Sequence, residues 1–79
     1  MTDYVLDELV LRHLRAMYAQ LRTPIATGVL ARQLARVSPH RRLTAHQVGR
    51  ALTGLEAQGL VVNVPDSNGR RRWRPRSTA

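Results

Sequence analysis

Residues 43–76 are LTAHQVGRALTGLEAQGLVVNVPDSNGRRRWRPR, and this stretch decides the fold of the chain. Its order of residues predicts a helix, a stop signal, a β-strand, a tight turn and a second strand that carries five arginines. The helix and the hairpin are consecutive, so we expect them to lie side by side.

The helix of this stretch, helix three, has a clear signal at each end. Thr44 and Gln47 match a capping box, in which each side chain satisfies a free backbone N–H group of the other residue. Gly59 is well placed as a left-handed C-terminal cap, because glycine accepts positive φ without strain. We therefore predict a helix over about 44–58, and its inward face is predicted to consist of Val48, Ala51, Leu52 and Leu55.

The hairpin is predicted from a β-branched run, LVVNV (60–64), followed by DSNG (66–69). Asn68-Gly69 favours a two-residue type I′ turn, which needs positive φ at both residues. Pro75 marks the end of the return strand or an edge.

The loop length determines which side chains share a face of the hairpin. A two-residue loop pairs Val64 with Trp73, and a four-residue loop pairs Val62 with Trp73; either places the tryptophan on the face of both valines. A loop of odd length would invert this assignment. The side chains predicted on the opposite face, about 7 Å apart along the strand, are those of Arg70, Arg72 and Arg74.

The first half of the chain predicts two more helices. Helix one is expected over about 3–21, capped by Thr2 or Asp3, and Thr23-Pro24 ends it. Its predicted apolar stripe consists of Val5, Leu6, Leu9, Val10, Leu14, Met17, Tyr18 and Leu21.

Ile25 is a candidate for a very short strand, and helix two is expected over about 27–36 with Thr27 as its cap. Ser38-Pro39 ends this helix, and residues 38–43 form a loop. Its predicted inward residues are Val29, Leu30 and Leu34, with Ala31 and Val37 as further candidates.

Charge is distributed unevenly along these 79 residues, which have a net charge of +8. All 13 basic residues are arginines, and three of the five acids lie within the first eight residues. Residues 9–79 consequently carry a net charge of +11. This excess favours a polyanionic partner: DNA, RNA or an anionic membrane surface. The chain has no cysteine and no apolar run of about 20 residues, so we expect a cytoplasmic protein without a membrane span.

Enzyme activity is not expected. The serines fall in turns or in the tail without a suggested histidine and carboxylate partner, and most acids lie at the start of helix one. The glycines are scattered rather than grouped in a phosphate-binding loop. The three histidines have no recognised ligand spacing. We therefore expect no metal, no cofactor and no small-molecule ligand.

The chain resembles the winged helix-turn-helix superfamily, chiefly at VLARQLARV (29–37) and VGRALTGLEAQGLVV (48–62). Within the latter, LTGLEAQGLV (52–61) is similar to the end of a recognition helix that leads into the wing. The resemblance implies an α+β, mainly α fold of three helices plus a C-terminal two-stranded β-wing. It implies a single domain over residues 1–76, with residues 77–79 as a tail.

The resemblance further implies that helix three enters the DNA major groove while the wing, residues 60–76, touches the backbone or the minor groove. Arg50 is expected to read guanine or, alternatively, to contact a phosphate. Trp73 either closes the core or stacks on a nucleobase. The candidate DNA-binding residues are Arg41, Arg42, Thr44, His46, Gln47, Arg50, Thr53, Arg70, Arg71, Arg72, Arg74 and Arg76.

These observations favour a double-stranded DNA-binding protein that is cytoplasmic and nucleoid-associated. It would be a small transcriptional regulator or an architectural or accessory factor. For a regulator, a homodimer on a pseudo-palindromic site is the natural geometry. Two alternatives stay open from sequence: an RNA-binding ribonucleoprotein component, and a winged-helix module that binds another protein.

Overall fold

Three helices and three short strands follow one another in the computed structural model, which describes residues 4–37 and 43–76. The helices are α1 (Tyr4–Leu21), α2 (Thr27–Val37) and α3 (Ala45–Ala57), and the strands are β1 (Ile25–Ala26), β2 (Val61–Asn63) and β3 (Arg72–Pro75). The strands form one antiparallel sheet in the order β1-β3-β2. The fold is therefore α+β and mainly helical, and its helix bounds agree with the predicted ones to within one residue.

The predicted hairpin is present as β2 and β3, but the sheet has three strands where two were expected, because β1 adds a third. Strand β1 pairs with β3, with Ile25 opposite Trp73 and Ala26 opposite Arg72. The short strand at Ile25 was predicted, but its partner was not. Pro24 ends the preceding helix and favours extended backbone before it, which leaves β1 free to cover the open edge of β3.

The hairpin turn also differs from the predicted type I′ turn. Among the described residues of the loop, Gly69 alone has positive φ, at 77°. The Gly69 N–H donates to the Asp66 carbonyl and the Asp66 N–H donates to the Arg70 carbonyl, both at 3.0 Å. This is a three-residue loop that closes on a left-handed glycine. The Asp66 carboxylate stabilises it by accepting from the N–H groups of Asn68 and Arg70, each at 2.9 Å.

The odd loop length changes which side chains share a face. Trp73 lies opposite Asn63, so its predicted place on the face of Val62 and Val64 is wrong. Val62 lies opposite Arg74 on the outer face. The expectation that Arg72 and Arg74 point away from Trp73 holds, because alternate residues of a strand face opposite sides.

A single apolar core joins all three helices to the inner face of the sheet. Trp73 is completely buried in it, as the core interpretation predicts, and leaves no face free for a nucleobase. The buried residues are Val10, Leu14, Ile25, Leu30, Ala31, Leu34, Val48, Ala51, Leu52, Leu55, Val61 and Trp73.

Four predicted core residues are instead exposed: Val5 (59 %), Leu21 (56 %), Val29 (45 %) and Val37 (58 %). Val37 is the last residue of α2 and Leu21 is the last of α1, so both side chains extend past the packed region. The hydrophobic faces of α1 and α2 are narrower than the sequence suggested. None of the helices in the described part of the chain has the length and apolar character needed to cross a bilayer.

Both ends of α3 are capped as predicted. Thr44 Oγ1 accepts from the Gln47 N–H at 3.1 Å, and Gln47 Oε1 accepts from the Thr44 N–H at 3.0 Å. At the other end Gly59 has φ 78°, and the Leu60 N–H donates to the Leu55 carbonyl at 3.0 Å. This is the Schellman arrangement. The predicted caps of helix one, Thr2 and Asp3, lie outside the described residues.

Candidate functional site

The exposed face of α3 is built by the helical repeat. His46, Gly49, Arg50 and Thr53 are spaced by three and four residues, so they follow one another along one side of the helix. The side chains of His46, Arg50 and Thr53 are exposed, as predicted. The predicted inward residues of this helix are all buried on the opposite side, which fixes the rotation of α3 about its axis.

A shallow depression lies between this face and the hairpin. It is lined by His46, Gly49, Arg50 and Thr53 of α3 and by Arg71, which precedes β3. Two of the five lining residues are arginines, and none carries a carboxylate. The depression is therefore cationic, and it is formed by two separate elements of the fold.

A hydrogen-bond chain connects the two elements. The Arg71 guanidinium donates to Thr53 Oγ1 across 3.3 Å, and the Thr53 hydroxyl donates to the Gly49 carbonyl at 2.9 Å. Arg71 lies two residues before Trp73, on the side of the ribbon that faces the helices. Its side chain is thus held on α3 and is separated from the arginines of the outer face.

Arg72 has a different partner. Its Nε atom lies 3.6 Å from Asp66 Oδ2, and the Arg72 side chain is 48 % exposed against 15 % for Asp66. Half of the arginine surface therefore stays available to solvent. The pKa of Asp66 is lowered, chiefly by the hydrogen bond from the Arg70 N–H and also by the Asn68 N–H and the charges of Arg72 and Arg70. Partial desolvation opposes this and raises the pKa.

The other three arginines of the hairpin also differ from one another in position and exposure. Arg76 Nη1 lies 3.0 Å from the position that a Cβ atom on Gly59 would occupy, so its guanidinium sits over the C-terminus of α3. A cation is favourable there because the helix dipole is negative at that end. Arg74 is half-buried opposite Val62, and Arg70 is exposed.

The predicted site residues of α3 also divide into two groups. The side chains of Thr44 and Gln47 are engaged with each other in the capping box, and Thr53 is engaged with Gly49 and Arg71. Across the part of the chain that the structure describes, His46 and Arg50 have no side-chain hydrogen bond or ion pair. They are the side chains of this face most available to a ligand. Arg41 and Arg42 lie outside the described residues.

Three features were not predicted from the sequence. Asp66 stands two residues before Asn68, the spacing of an Asx turn, and this signal predicts the three-residue loop. The docking of Arg71 on Thr53 follows from that loop, because the odd register turns residue 71 toward the helices. Thr27 Oγ1 accepts from Trp73 Nε1 at 2.8 Å. The two residues are far apart in the sequence, so no local pattern predicts this contact.

Residues 4–37 and 43–76 contain no group of three or more histidine, cysteine, aspartate or glutamate side chains that could hold a metal ion. In comparisons with known proteins, no family model, no curated protein and no solved structure matches this chain.

Proposed function

We propose that the protein is a winged helix-turn-helix module that binds double-stranded DNA. One observation carries the proposal: the exposed face of α3 and Arg71 of the arginine-rich hairpin line one cationic depression. The hydrogen bond from Arg71 to Thr53 joins them. A polyanion bound in the depression would therefore contact both elements.

The dimensions of α3 suit a major groove. Its 13 residues extend for about 20 Å at 1.5 Å per residue. A helix is about 10–12 Å wide with its side chains, and the major groove of B-DNA is about 12 Å wide. Inserted by its exposed face, α3 would present His46 and Arg50 to the base edges and the flanking phosphates. The capping pair at its N-terminus would keep the leading turn rigid.

The hairpin supplies the electrostatic component. Arg72 and Arg74 face outward along β3, and Arg70 is exposed beside them. Arginines that contact phosphates release condensed counterions, so binding weakens as the salt concentration rises. Each phosphate that these arginines contact would add about −0.9 to the slope of log K against log[salt].

This activity fits a minimal transcriptional regulator or an architectural or accessory factor of the nucleoid in the cytoplasm. A regulator of this design would bind as a homodimer, with half-sites about one helical turn apart. The proposal requires no cofactor and no small-molecule ligand.

The test is a fluorescence-anisotropy titration of a random-sequence DNA duplex across a salt series. The double variant Arg72→Ala/Arg74→Ala should bind more weakly, and its salt slope should be smaller by about 1.8. The matched control is Arg12→Ala/Arg15→Ala, which removes the same charge from exposed positions on α1 and should keep the wild-type slope.

Competition with an A-form RNA duplex at equal salt tests the choice of nucleic acid. We expect the DNA duplex to compete more strongly, because the major groove of A-form RNA is too narrow for a helix. Wild-type protein that binds no duplex at low salt would overturn the proposal, and a search for protein partners would follow.

A further inference from the structure

We propose that the depression between α3 and the hairpin binds a single phosphodiester group of the nucleic-acid backbone, held by Arg50 and Arg71 with His46 beside them. This inference rests on the proposed function and makes it more specific. It assigns Arg50 as a phosphate ligand, which excludes it as the reader of a base. It also assigns Arg71 to the same binding surface as α3, apart from the outer arginines of the hairpin.

The first argument is geometric. His46 and Arg50 are four residues apart on α3, so their side chains are neighbours on one face. Arg71 reaches the same depression from the hairpin. A phosphate placed there would meet donors from two directions, and each of its two free oxygens could accept from one of them.

The second argument concerns the donors of Arg71. A guanidinium group has five N–H donors, and Thr53 accepts from one nitrogen, Nη1. The bond fixes the direction of the side chain while leaving other donors available. Thr53 is itself fixed by its bond to the Gly49 carbonyl. Thr53 is therefore a positioning residue, and Arg71 is the group that would touch the phosphate.

The third argument is electrostatic. Arg50 and Arg71 line the same depression, and no carboxylate lines it with them. The one acid of the hairpin, Asp66, is paired with Arg72. Like charges repel, so the site gains most from a ligand with a full negative charge. A guanine edge is a neutral acceptor, whereas a phosphodiester carries a full charge, and the latter therefore suits the two arginines better.

The experiment compares Arg50→Ala and Arg71→Ala with wild type on a panel of DNA duplexes of different sequence. If each arginine binds a phosphate, each variant should weaken binding by the same factor on every sequence, about fivefold at 0.15 M salt. The salt slope should also become smaller by about one. Arg15→Ala, an exposed arginine on α1, is the single-charge control and should leave both quantities unchanged.

A second measurement tests the role of Thr53. Thr53→Val should weaken DNA binding, but less than Arg71→Ala does. When Arg71→Ala is already present, adding Thr53→Val should weaken DNA binding no further. Thr53→Ser should restore wild-type binding, because it keeps both hydrogen bonds of the hydroxyl. A valine variant that matched wild type, or losses that simply added, would show that Thr53 does not position Arg71.

The outcomes separate this inference from the proposed function. In one outcome, wild-type protein binds DNA, but Arg50→Ala loses affinity only on guanine-containing sites and keeps the wild-type salt slope. That outcome would overturn the phosphate site and make Arg50 a base reader. Wild-type binding that Arg71→Ala does not weaken would overturn it too. Absence of wild-type binding to any duplex would overturn both.

Discussion

The Trp73 indole nitrogen donates a hydrogen bond to the Thr27 hydroxyl oxygen across 2.8 Å, and this bond ties the central strand to the first residue of α2. The methyl carbon of Thr27, Cγ2, also lies 3.6 Å from the position of a Cβ atom on Gly49. Thr27 therefore stands where the sheet, α2 and α3 meet. Together with the bond from Arg71 to Thr53, it fixes the hairpin against the helices.

We expect Thr27→Val to lower the free energy of unfolding by about 1–3 kcal/mol, because the buried indole N–H loses its acceptor. The measurement is urea denaturation followed by the fluorescence of Trp73, the single tryptophan of the chain. Thr27→Ser is the control, since it keeps the acceptor oxygen and should lie closer to wild type. A valine variant as stable as wild type, beside a less stable serine variant, would show that the methyl group, and not the hydrogen bond, carries the stabilisation.

The helices were predictable from sequence because their signals are local. The capping pair Thr44 and Gln47, the left-handed Gly59 and the spacing of the buried residues of α3 all lie within about 16 residues of one another. The same approach overestimated the core at Val29 and Val37, since an apolar residue beside a buried stripe has the same local pattern as one within it. Burial there depends on how far the neighbouring elements extend.

Two glycines of this region should respond in opposite ways to alanine. Gly59 has φ 78°, which strains any L side chain, and its added Cβ would lie 3.0 Å from Arg76 Nη1. We expect Gly59→Ala to destabilise the fold by about 1–2 kcal/mol. Gly54 lies inside α3 with nothing within 4 Å of an added Cβ, so Gly54→Ala should stabilise it by up to about 1 kcal/mol. Thermal unfolding of the pair checks both signs, and a stabilised Gly59→Ala would contradict the C-cap.

The capping box makes a separate prediction about α3. Thr44→Ala should cost about 0.5–2 kcal/mol of stability, because the Gln47 N–H loses its acceptor. Thr44→Ser keeps the oxygen and should retain most of the stability. Chemical denaturation measures the difference. If the alanine and serine variants were equally stable, the cap would contribute nothing.

The hairpin register could not be predicted from the valine and arginine pattern, because that pattern is compatible with both faces. The choice is made by Asp66, whose carboxylate accepts two N–H groups and favours a three-residue loop over the type I′ turn. That one-residue difference moves Val62 and Val64 to the outer face and turns Arg71 toward α3. The exposure of the α3 side chains could therefore be predicted residue by residue, but the face of the hairpin on which each arginine lies could not.

Asp66 gives the last prediction, a pH dependence of stability. The pKa of Asp66 is lowered in the folded chain, first by the hydrogen bond from the Arg70 N–H. Below the ordinary aspartate pKa of about 3.9 the unfolded chain binds the proton first. The stabilisation by this carboxylate is therefore complete above that value and is lost as the pH falls through the lower folded-state pKa.

The comparison that isolates this effect is wild type against Asp66→Asn, unfolded by urea between pH 7 and pH 2.5. We expect the difference in unfolding free energy to be constant near neutral pH and to shrink as the pH falls below about 4. Glu8→Gln removes the same charge from an exposed pair with Arg12, 3.9 Å apart, and should change stability by only a few tenths of a kcal/mol. A difference that persists undiminished at pH 2.5 would mean that Asp66 stabilises the turn without its charge, through hydrogen bonds that asparagine fails to reproduce.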